Sequence, residues 1–221
     1  MRQPLFRLLN VRPFSKITCR LVAVALALTA AAAAGQAQTL AALPVASQPV
    51  AKVGNAKPIA GWVRFCQQTP QECAVDPSEP ATITLTPQVW KVLVQVNRQV
   101  NAAIKPMTDQ EHWGVEDRWD FAEDGYGDCE DYQLVKRRQL VKAGFPRRAL
   151  RMTVVIDEEG AGHAVMMVRT NRGDFILDNK RDAVLPWHQT GYTYVKREGD
   201  TGSTWASLGG AFVSPTVTAG R

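Results

Sequence analysis

Three apolar runs separated by short turns, with a fourth run further along as an additional strand, lie in the second half of the sequence and limit the fold more than any other feature. Each run carries β-branched or large apolar side chains, which are typical of strands. The turns between the first three runs contain glycine, and turns of this kind favour hairpins. The pattern therefore predicts an antiparallel meander. The runs are residues 151–157, 163–170, 174–178 and 192–197.

A helix is predicted immediately before this meander, at residues 128–143. Asp128 is a residue type that is preferred at helix N-caps, and Gly144 followed by Pro146 is a typical stop. The order of elements therefore indicates a mixed α/β (α+β) class, in which a helix precedes an antiparallel sheet.

A second helix is predicted further upstream, at residues 86–104. Thr86 is a candidate N-cap, and Pro87 suits the first helical position, where no backbone N–H is needed. Apolar residues recur at helical spacing along one face, and Pro106 follows the end of the pattern. We interpret this helix as scaffold for the core and assign it no chemistry.

The first 37 residues have the features of a secretory signal peptide. Basic residues without any acidic residue precede an apolar run at 21–34, and small residues follow at 34–37. The run is too short for a membrane-spanning helix, which needs about 20 residues. We therefore predict cleavage near 34–37, a periplasmic or secreted protein, and no membrane span after the signal is removed. A signal anchor or a buried helix is the alternative.

The net charge of the chain without the predicted signal argues against a nucleic-acid partner. The whole chain has 26 Lys and Arg against 21 Asp and Glu, which gives a formal net charge of +5. Five of the basic residues lie in the predicted signal, so the processed chain is close to neutral. A neutral chain without a glycine-rich phosphate loop gives no support for a nucleic-acid partner.

The four cysteines have different expected roles. Cys19 lies in the predicted signal. Cys66 and Cys73 lie close together in a loop-like stretch, which predicts a local disulfide in an oxidising compartment, with a zinc pair as the alternative. Cys129 is left over, and an unpaired cysteine in an exported chain is a candidate reactive thiol. A small buried apolar residue is its alternative role.

Cys129 falls in the first turn of the predicted helix 128–143, where the helix dipole favours an anion. A thiol attacks as thiolate, so a position that favours an anion suits a nucleophile. The backbone N–H of Cys129 at this position can also donate to the oxyanion of a tetrahedral intermediate. His163, which opens a strand after a glycine turn, is the candidate base, and Asp178 is the candidate residue that orients it. A tight hairpin does not place Asp178 directly opposite His163, so strand twist, a longer loop or a bulge is required.

Three short blocks carry a resemblance to a known family. Cys129 precedes His163 by 34 residues, and His163 precedes Asp178 by 15. On these motifs and spacings, residues 85–197 resemble the bacterial transglutaminase-like cysteine proteinases, a family that includes the LapG-type periplasmic proteases. The blocks are GDCED at 127–131, GHAV at 162–165 and LDN at 177–179.

The resemblance implies a papain/transglutaminase-like fold, in which the nucleophile helix packs on an antiparallel sheet. It also implies a catalytic triad of Cys129, His163 and Asp178.

The resemblance further implies a calcium site in some members, formed by acidic residues around the nucleophile. The matching positions here are Asp128, Glu130 and Asp131. Calcium is a hard cation that favours several oxygen ligands, and a cation would offset the effect of these acids on the thiolate. Acidic residues in a first turn also stabilise a helix without any metal, so that interpretation stays open.

We therefore predict an exported cysteine peptidase that hydrolyses a peptide bond through a thioester. The expected partner is a protein or peptide substrate, such as a cell-surface or periplasmic protein. A transglutaminase or amidase on the same triad is one alternative, and a non-catalytic calcium- or peptide-binding module is another. The predicted segments are a signal peptide at 1–37, a linker at 38–57, the peptidase domain at 58–200 and a flexible tail at 201–221.

Overall fold

The structure is a computed structural model that describes residues 43–201 and 204–210. The predicted signal peptide, its cleavage site and Cys19 lie outside the described residues, as do residues 211–221 of the predicted tail.

Most helices of the described chain precede the strands of its main sheet, six of which follow the last long helix. The helices are α1 (Ala60–Gln68), α2 (Pro70–Cys73), α3 (Pro87–Ala103), α4 (Asp109–Trp113) and α5 (Cys129–Lys142). The strands are β1 (Gly54–Ala56), β2 (Lys105–Pro106), β3 (Tyr126–Gly127), β4 (Leu150–Ile156), β5 (Gly162–Thr170), β6 (Gly173–Leu177), β7 (Leu185–Pro186), β8 (Thr193–Glu198) and β9 (Trp205–Ser207).

A seven-stranded sheet in the order β1-β9-β8-β4-β5-β6-β7 forms the centre of the fold. Every neighbouring pair in it is antiparallel. Strands β4, β5 and β6 form the predicted meander, and β8 adds the predicted further strand. The α+β class with an antiparallel sheet is therefore confirmed.

Side chains on the two faces of this sheet enter two different apolar clusters. Because neighbouring residues of a strand point to opposite faces, Met166 of β5 belongs to the larger cluster, together with Leu93 of α3 and Leu134 of α5. Val165 and Met167 belong to the smaller cluster. Helices α3 and α5 therefore cover one face, and the second face has its own small core.

Both long helices begin where their cap residues predict. The Thr86 side chain accepts a hydrogen bond from the Val89 N–H at 3.2 Å, and α3 starts at Pro87. Asp128 is the N-cap of α5. The chain leaves α5 through Gly144, whose φ of 88° is a left-handed conformation that glycine adopts without strain.

The predicted disulfide between Cys66 and Cys73 is present and links α1 to α2. The sheet also extends beyond the predicted domain limits of 58 and 200. Strand β1, from the segment predicted as a linker, pairs with β9, from the segment predicted as a tail, and Trp205 of β9 is buried in the larger core. Among the described residues, we find no helix that is both long and apolar enough to cross a membrane.

Candidate active site

Cys129 is the first residue of α5 and is fully buried. Its sulfur accepts a hydrogen bond from the backbone N–H of Ala164 at 3.3 Å, so the start of α5 lies against the start of β5. The thiol donates to Oε2 of Glu130, its neighbour in the chain, at 3.2 Å. The nucleophile candidate is thus held between the strand that carries His163 and an acidic side chain.

Gly127 allows the chain to turn tightly into this helix. A Cβ atom at this position would lie 2.8 Å from Oδ2 and 2.9 Å from Cβ of Asp131, which is closer than real side chains approach. The parallel pairing of β2 with β3 holds Gly127 opposite Pro106. The hydroxyl of Tyr132 donates to the carbonyl of Ile104 at 2.7 Å, which ties the first turn of α5 to the end of α3.

His163 and Asp178 form a direct, buried contact. Nε2 of His163 lies 2.8 Å from Oδ1 of Asp178, and both side chains are almost completely buried. The hydroxyl of Tyr192 donates to the other carboxylate oxygen, Oδ2, at 2.6 Å. The structure therefore brings the predicted base and its predicted partner together.

The sheet alone does not produce this contact. The register of β5 and β6 ends with Met166 opposite Leu177, so that Asp178 would continue opposite Val165 rather than His163. The chain instead leaves the sheet after Leu177. The N–H of Asp178 donates to Oδ1 of Asn97 in α3 at 3.1 Å, which fixes the backbone where the carboxylate reaches His163.

A second asparagine of α3 binds the carbonyl of the same residue, Asp178. Nδ2 of Asn101 donates to the carbonyl of Asp178 at 2.9 Å. Nδ2 of Asn97 donates to the carbonyls of Arg181 and Asp182, at 2.8 and 3.1 Å. The loop after β6 is therefore fixed by α3 through side-chain amides.

The second ring nitrogen of His163 is buried, and the described residues offer it no hydrogen-bond partner. Because Nε2 faces Asp178, the unpaired atom is Nδ1. An imidazole held in this way has one nitrogen fixed as a donor to a carboxylate and the other available to accept a proton.

Burial and neighbouring charges shift the pKa values of Asp178 and of Cys129. Burial opposes the charge of Asp178, but the hydrogen bond and charge of His163, followed by the bond from Tyr192, lower its pKa to about 2. Burial above all, and then the charges of Glu130 and Asp128, raise the pKa of the Cys129 thiol well above its ordinary value. The carboxylate is therefore ionised at neutral pH, while the acids around the thiol oppose its ionisation.

Three buried carboxyl groups meet beside Cys129. Oxygen atoms of Asp109, Asp128 and Glu130 lie within 4.8 Å of one another. Burial raises the pKa of Asp128 to about 7, and burial with the charge of Asp128 raises that of Glu130 well above its ordinary value. Carboxyl groups crowded in this way oppose one another's ionisation.

Asp131, the third predicted ligand, lies outside this trio. One of its oxygens accepts from the N–H of Asp120 at 2.7 Å, and the other accepts from the N–H of Asp128 at 3.3 Å. The structure therefore gives Asp131 the contacts of a residue that caps α5.

A second observation, besides the negative charge of Asp109, Asp128 and Glu130, indicates that these residues fit a hard divalent cation. Oδ1 of Asp128 and Oε1 of Glu130 are buried and have no hydrogen-bond partner among the described residues. Calcium binds oxygen ligands at about 2.3–2.6 Å, so two of its ligands lie at most about 5 Å apart. The spacing and the unpaired oxygens of Asp109, Asp128 and Glu130 are compatible with that requirement.

Comparison with known proteins decides the family. The model of the bacterial transglutaminase-like cysteine proteinases (BTLCP) matches residues 52–211, which is most of the chain. The chain belongs to this family. It is therefore a transglutaminase-like cysteine protease, and the predicted enzyme class is confirmed.

Solved structures of LapG from Legionella pneumophila are similar to this proteinase. One has 23% identity and a TM-score of 0.45, and the match covers 66% of this chain and 75% of that chain. The calcium-bound form of that protein has 22% identity and a TM-score of 0.47, with 69% and 91% covered. No curated protein matches the sequence.

Several residues at the site of this proteinase were not predicted. The sequence does contain a signal for Asn97, since an amide on the apolar face of a helix has to find partners when it is buried. No comparable signal marks Tyr192 or Asp109. Asp109 lies within the Thr108–Glu111 capping box, in the first turn of α4, which explains it locally without any link to Cys129.

Proposed function

We propose that this proteinase hydrolyses a peptide bond with Cys129 as nucleophile, His163 as general base and acid, and Asp178 as the residue that orients His163. The buried 2.8 Å contact between His163 Nε2 and Asp178 Oδ1, next to the strand that touches the Cys129 sulfur, carries this proposal. A carboxylate, an imidazole and a thiol in this order are the groups that acyl transfer through a thioester requires.

The reaction starts with transfer of the thiol proton to His163 Nδ1, the ring nitrogen without a partner. The Cys129 thiolate then attacks the peptide carbonyl carbon, and the backbone N–H of Cys129 at the start of α5 is the donor available to the oxyanion. His163 returns the proton to the leaving amine, which leaves a thioester. Water attacks the thioester with His163 as base, and the acid product and the free thiol are released.

Asp178 acts through His163 and does not touch the reacting atoms. Its ionised carboxylate accepts the proton on Nε2, which keeps Nδ1 unprotonated before the first step. When His163 becomes positively charged, the same carboxylate stabilises it. The pKa of about 2 keeps Asp178 ionised throughout the physiological range.

We propose that Asp109, Asp128 and Glu130 hold calcium. The raised pKa of the Cys129 thiol is the physical reason, because burial and the two adjacent acids both oppose a thiolate. When bound, calcium supplies positive charge that offsets these acids. Asp131 remains the cap of α5 in this arrangement. It accepts from the Asp128 N–H and is not a calcium ligand.

The proposed location is the periplasm or the cell exterior, with a protein there as the substrate. The predicted signal peptide supports export, and the Cys66–Cys73 disulfide is a bond that persists in oxidising compartments. Cys129 is fully buried. A peptide therefore reaches its sulfur only after groups packed over it have moved.

Alkylation by iodoacetamide at neutral pH tests the proposed chemistry without knowledge of the substrate. We expect fast labelling that is lost in Cys129→Ala and is slower by about tenfold or more in His163→Ala. A chelator should slow the wild-type reaction, and added calcium should restore it. Labelling at the rate of an ordinary free thiol, unchanged in His163→Ala, contradicts the proposed pair.

Product analysis separates hydrolysis from transamidation on the same thioester. Digestion of an unfolded protein with an added primary amine should give new carboxyl termini and no amine adduct. An amine adduct as the main product contradicts hydrolysis and favours a transglutaminase.

A further inference from the structure

Three arginines lie on the face of the sheet that α3 and α5 do not cover. Arg151 of β4 pairs with Met167 of β5, and Met167 belongs to the smaller core on this face. Arg169 is two residues further along β5, and Arg197 of β8 pairs with Thr153, two residues along β4 from Arg151. Because side chains two apart share a face, Arg169 and Arg197 flank Arg151 on both sides.

Two guanidinium groups of this cluster, those of Arg151 and Arg197, are buried without enough acceptors. The Arg151 side chain is 1% exposed, and its Nε and Nη2 have no hydrogen-bond partner among the described residues. Nε of Arg197 is likewise buried and unpaired there, although its Nη1 donates to the Glu198 carbonyl at 3.1 Å. Buried N–H groups without acceptors are costly, so their persistence at one place points to a missing acceptor.

The nearby acids do not supply that acceptor. The charge of Glu198 acts on Arg151, but its carboxylate oxygens accept hydrogen bonds from Arg137 and from the Met152 N–H. Oδ1 of Asp200 lies 3.5 Å from Nη1 of Arg169 and 3.8 Å from Nη2 of Arg151, so one oxygen is shared by two guanidiniums at long range. Asp174 lies opposite Arg169 in the register, but its Oδ2 accepts from the Val50 N–H at 2.8 Å.

The cluster therefore carries excess positive charge in a buried place. Burial above all lowers the pKa of Arg151 to about 10, and burial with the neighbouring charge of Arg169 lowers the pKa of Arg197. Burial raises the pKa of Asp174, while the bond from Val50 and the charges of Arg169 and Arg197 act in the opposite direction, so Asp174 is a partial counter-charge to these arginines.

We propose that Arg151, Arg169 and Arg197 form a binding site for an oxyanion, meaning a phosphate, sulfate or carboxylate group, which enters beside Asp200. Guanidinium groups bind planar or tetrahedral oxyanions through two parallel N–H donors at about 2.7–2.9 Å. The Arg169 side chain is 21% exposed and that of Asp200 is 51% exposed, so the cluster has an open side.

The contacts of Asp200 show how an oxyanion would be held. Its carboxylate already lies between Arg151 and Arg169 but is too distant for strong hydrogen bonds. An external oxyanion would replace this carboxylate and satisfy the unpaired donors of Arg151. Arg169 is six residues along β5 from His163, which is about 20 Å in a strand. The site is therefore separate from the catalytic centre and independent of the function proposed for it.

Calorimetric titration of the purified protein tests the site. Sodium phosphate, sodium sulfate and sodium acetate are each added at constant ionic strength, with sodium chloride as the reference. We expect saturable binding of at least one oxyanion and none of chloride. Preference for phosphate and sulfate indicates a tetrahedral ligand, and preference for acetate indicates a carboxylate, such as a peptide terminus.

Variants show whether the three arginines are responsible. Arg151→Gln and Arg169→Gln should each weaken binding by about tenfold or more, because each removes charged donors. Asp200→Asn should strengthen binding, because it removes the carboxylate that competes for the same donors. Arg138→Gln, which removes an exposed arginine of α5, is the control and should leave binding unchanged.

Two results would overturn the proposal. One is the lack of saturable binding by any of the three oxyanions. The other is binding that is unchanged in Arg169→Gln or weakened in Asp200→Asn. If Arg151→Gln does not fold, the binding measured with Arg169→Gln tests the proposal instead, because the Arg169 side chain is partly exposed and its replacement leaves the buried core intact.

Discussion

The N–H of Asp178 donates to Oδ1 of Asn97, and this hydrogen bond joins the catalytic end of the sheet to the middle of α3. Continued register of β5 and β6 would place Asp178 opposite Val165, but the paired residues end at Leu177. A helix that carries no group of the proposed reaction therefore sets the position of the carboxylate next to His163.

Replacement of Asn97 by Leu should release the backbone of Asp178 from α3. The variant removes the acceptor of the Asp178 N–H and the Asn97 donor to the Asp182 carbonyl. The Arg181 carbonyl loses one of its two amide donors and keeps the bond from Asn101. We expect a loss of about 1–3 kcal/mol in the free energy of unfolding and slower alkylation of Cys129. Urea denaturation and iodoacetamide labelling measure the two effects.

Gln95→Leu is the control for this prediction, because Gln95 lies on the exposed side of the same helix. Equal effects of the two variants would mean that Asn97 acts only through helix stability.

Replacement of Tyr192 by Phe should remove a hydrogen bond to Asp178 while the aromatic ring stays in the core. The hydroxyl donates to Asp178 Oδ2 at 2.6 Å, so its removal should raise the pKa of Asp178 from about 2. A depressed carboxyl pKa stabilises the fold above the ordinary value of 3.8 and loses that contribution as pH falls towards 2. The variant should therefore lose less stability than the wild type over that window.

Tyr194→Phe provides the matched comparison, since the Tyr194 hydroxyl contacts Thr190 and the Trp187 carbonyl instead of Asp178. Urea denaturation between pH 2 and 5 should separate the two variants. An identical pH dependence in both would argue against a role of Tyr192 in setting the charge of Asp178.

Removal of divalent cations should make the stability of the protein depend on pH through Asp128. The raised pKa of about 7 means that the folded protein keeps a proton which the unfolded chain has lost above about pH 4. In chelator, the free energy of unfolding should therefore fall as pH rises from 4 to 7. Calcium should abolish that fall, because it pairs with the ionised carboxylates.

Asp128→Asn should flatten the profile measured in chelator. Glu123→Gln should leave the profile as it is, because that side chain is 84% exposed. A profile that calcium does not alter would remove the support for a metal at Asp109, Asp128 and Glu130.

Lys136 is a buried cation of α5, and its replacement by Met should stabilise the protein. Its Nζ has no hydrogen-bond partner among the described residues, and burial lowers its pKa to about 7 against the opposing charges of Asp178 and Asp182. Between pH 7 and about 10 the unfolded chain keeps a proton that the folded protein has lost, so stability rises with pH there.

Lys136→Met should therefore add about 1–4 kcal/mol to the free energy of unfolding at pH 7, and the gain should shrink towards pH 10. Lys142→Met, at the exposed end of the same helix, is the control. A destabilised Lys136→Met protein would mean that the charge of Lys136 supports Asp178 more strongly than its burial costs.

Local signals made the main elements predictable from the sequence. Thr86 with Pro87 and Asp128 with its following acids give helix starts that depend only on neighbouring residues. Glycine-containing turns gave the meander for the same reason. The family resemblance then indicated Cys129 and His163 as a pair.

The sequence indicated that Asp178 orients His163, but it did not show how distant segments bring such residues together. Asp178 reaches His163 only because α3 captures the chain beyond β6, and no local pattern encodes that capture. Asp109 approaches Asp128 through the pairing of β2 with β3, which depends on two-residue strands too short to show an alternating pattern.

The pairing of Asn55 with Ala206 brings the two ends of the described chain side by side at one edge of the sheet. A shortened chain that starts at residue 58 would lose β1 and leave the hydrogen-bonding groups of β9 open to other molecules. Bare strands of this kind promote edge-to-edge association. Recombinant versions for crystallisation or assay should therefore keep both segments, so that β1 continues to cover the edge of β9.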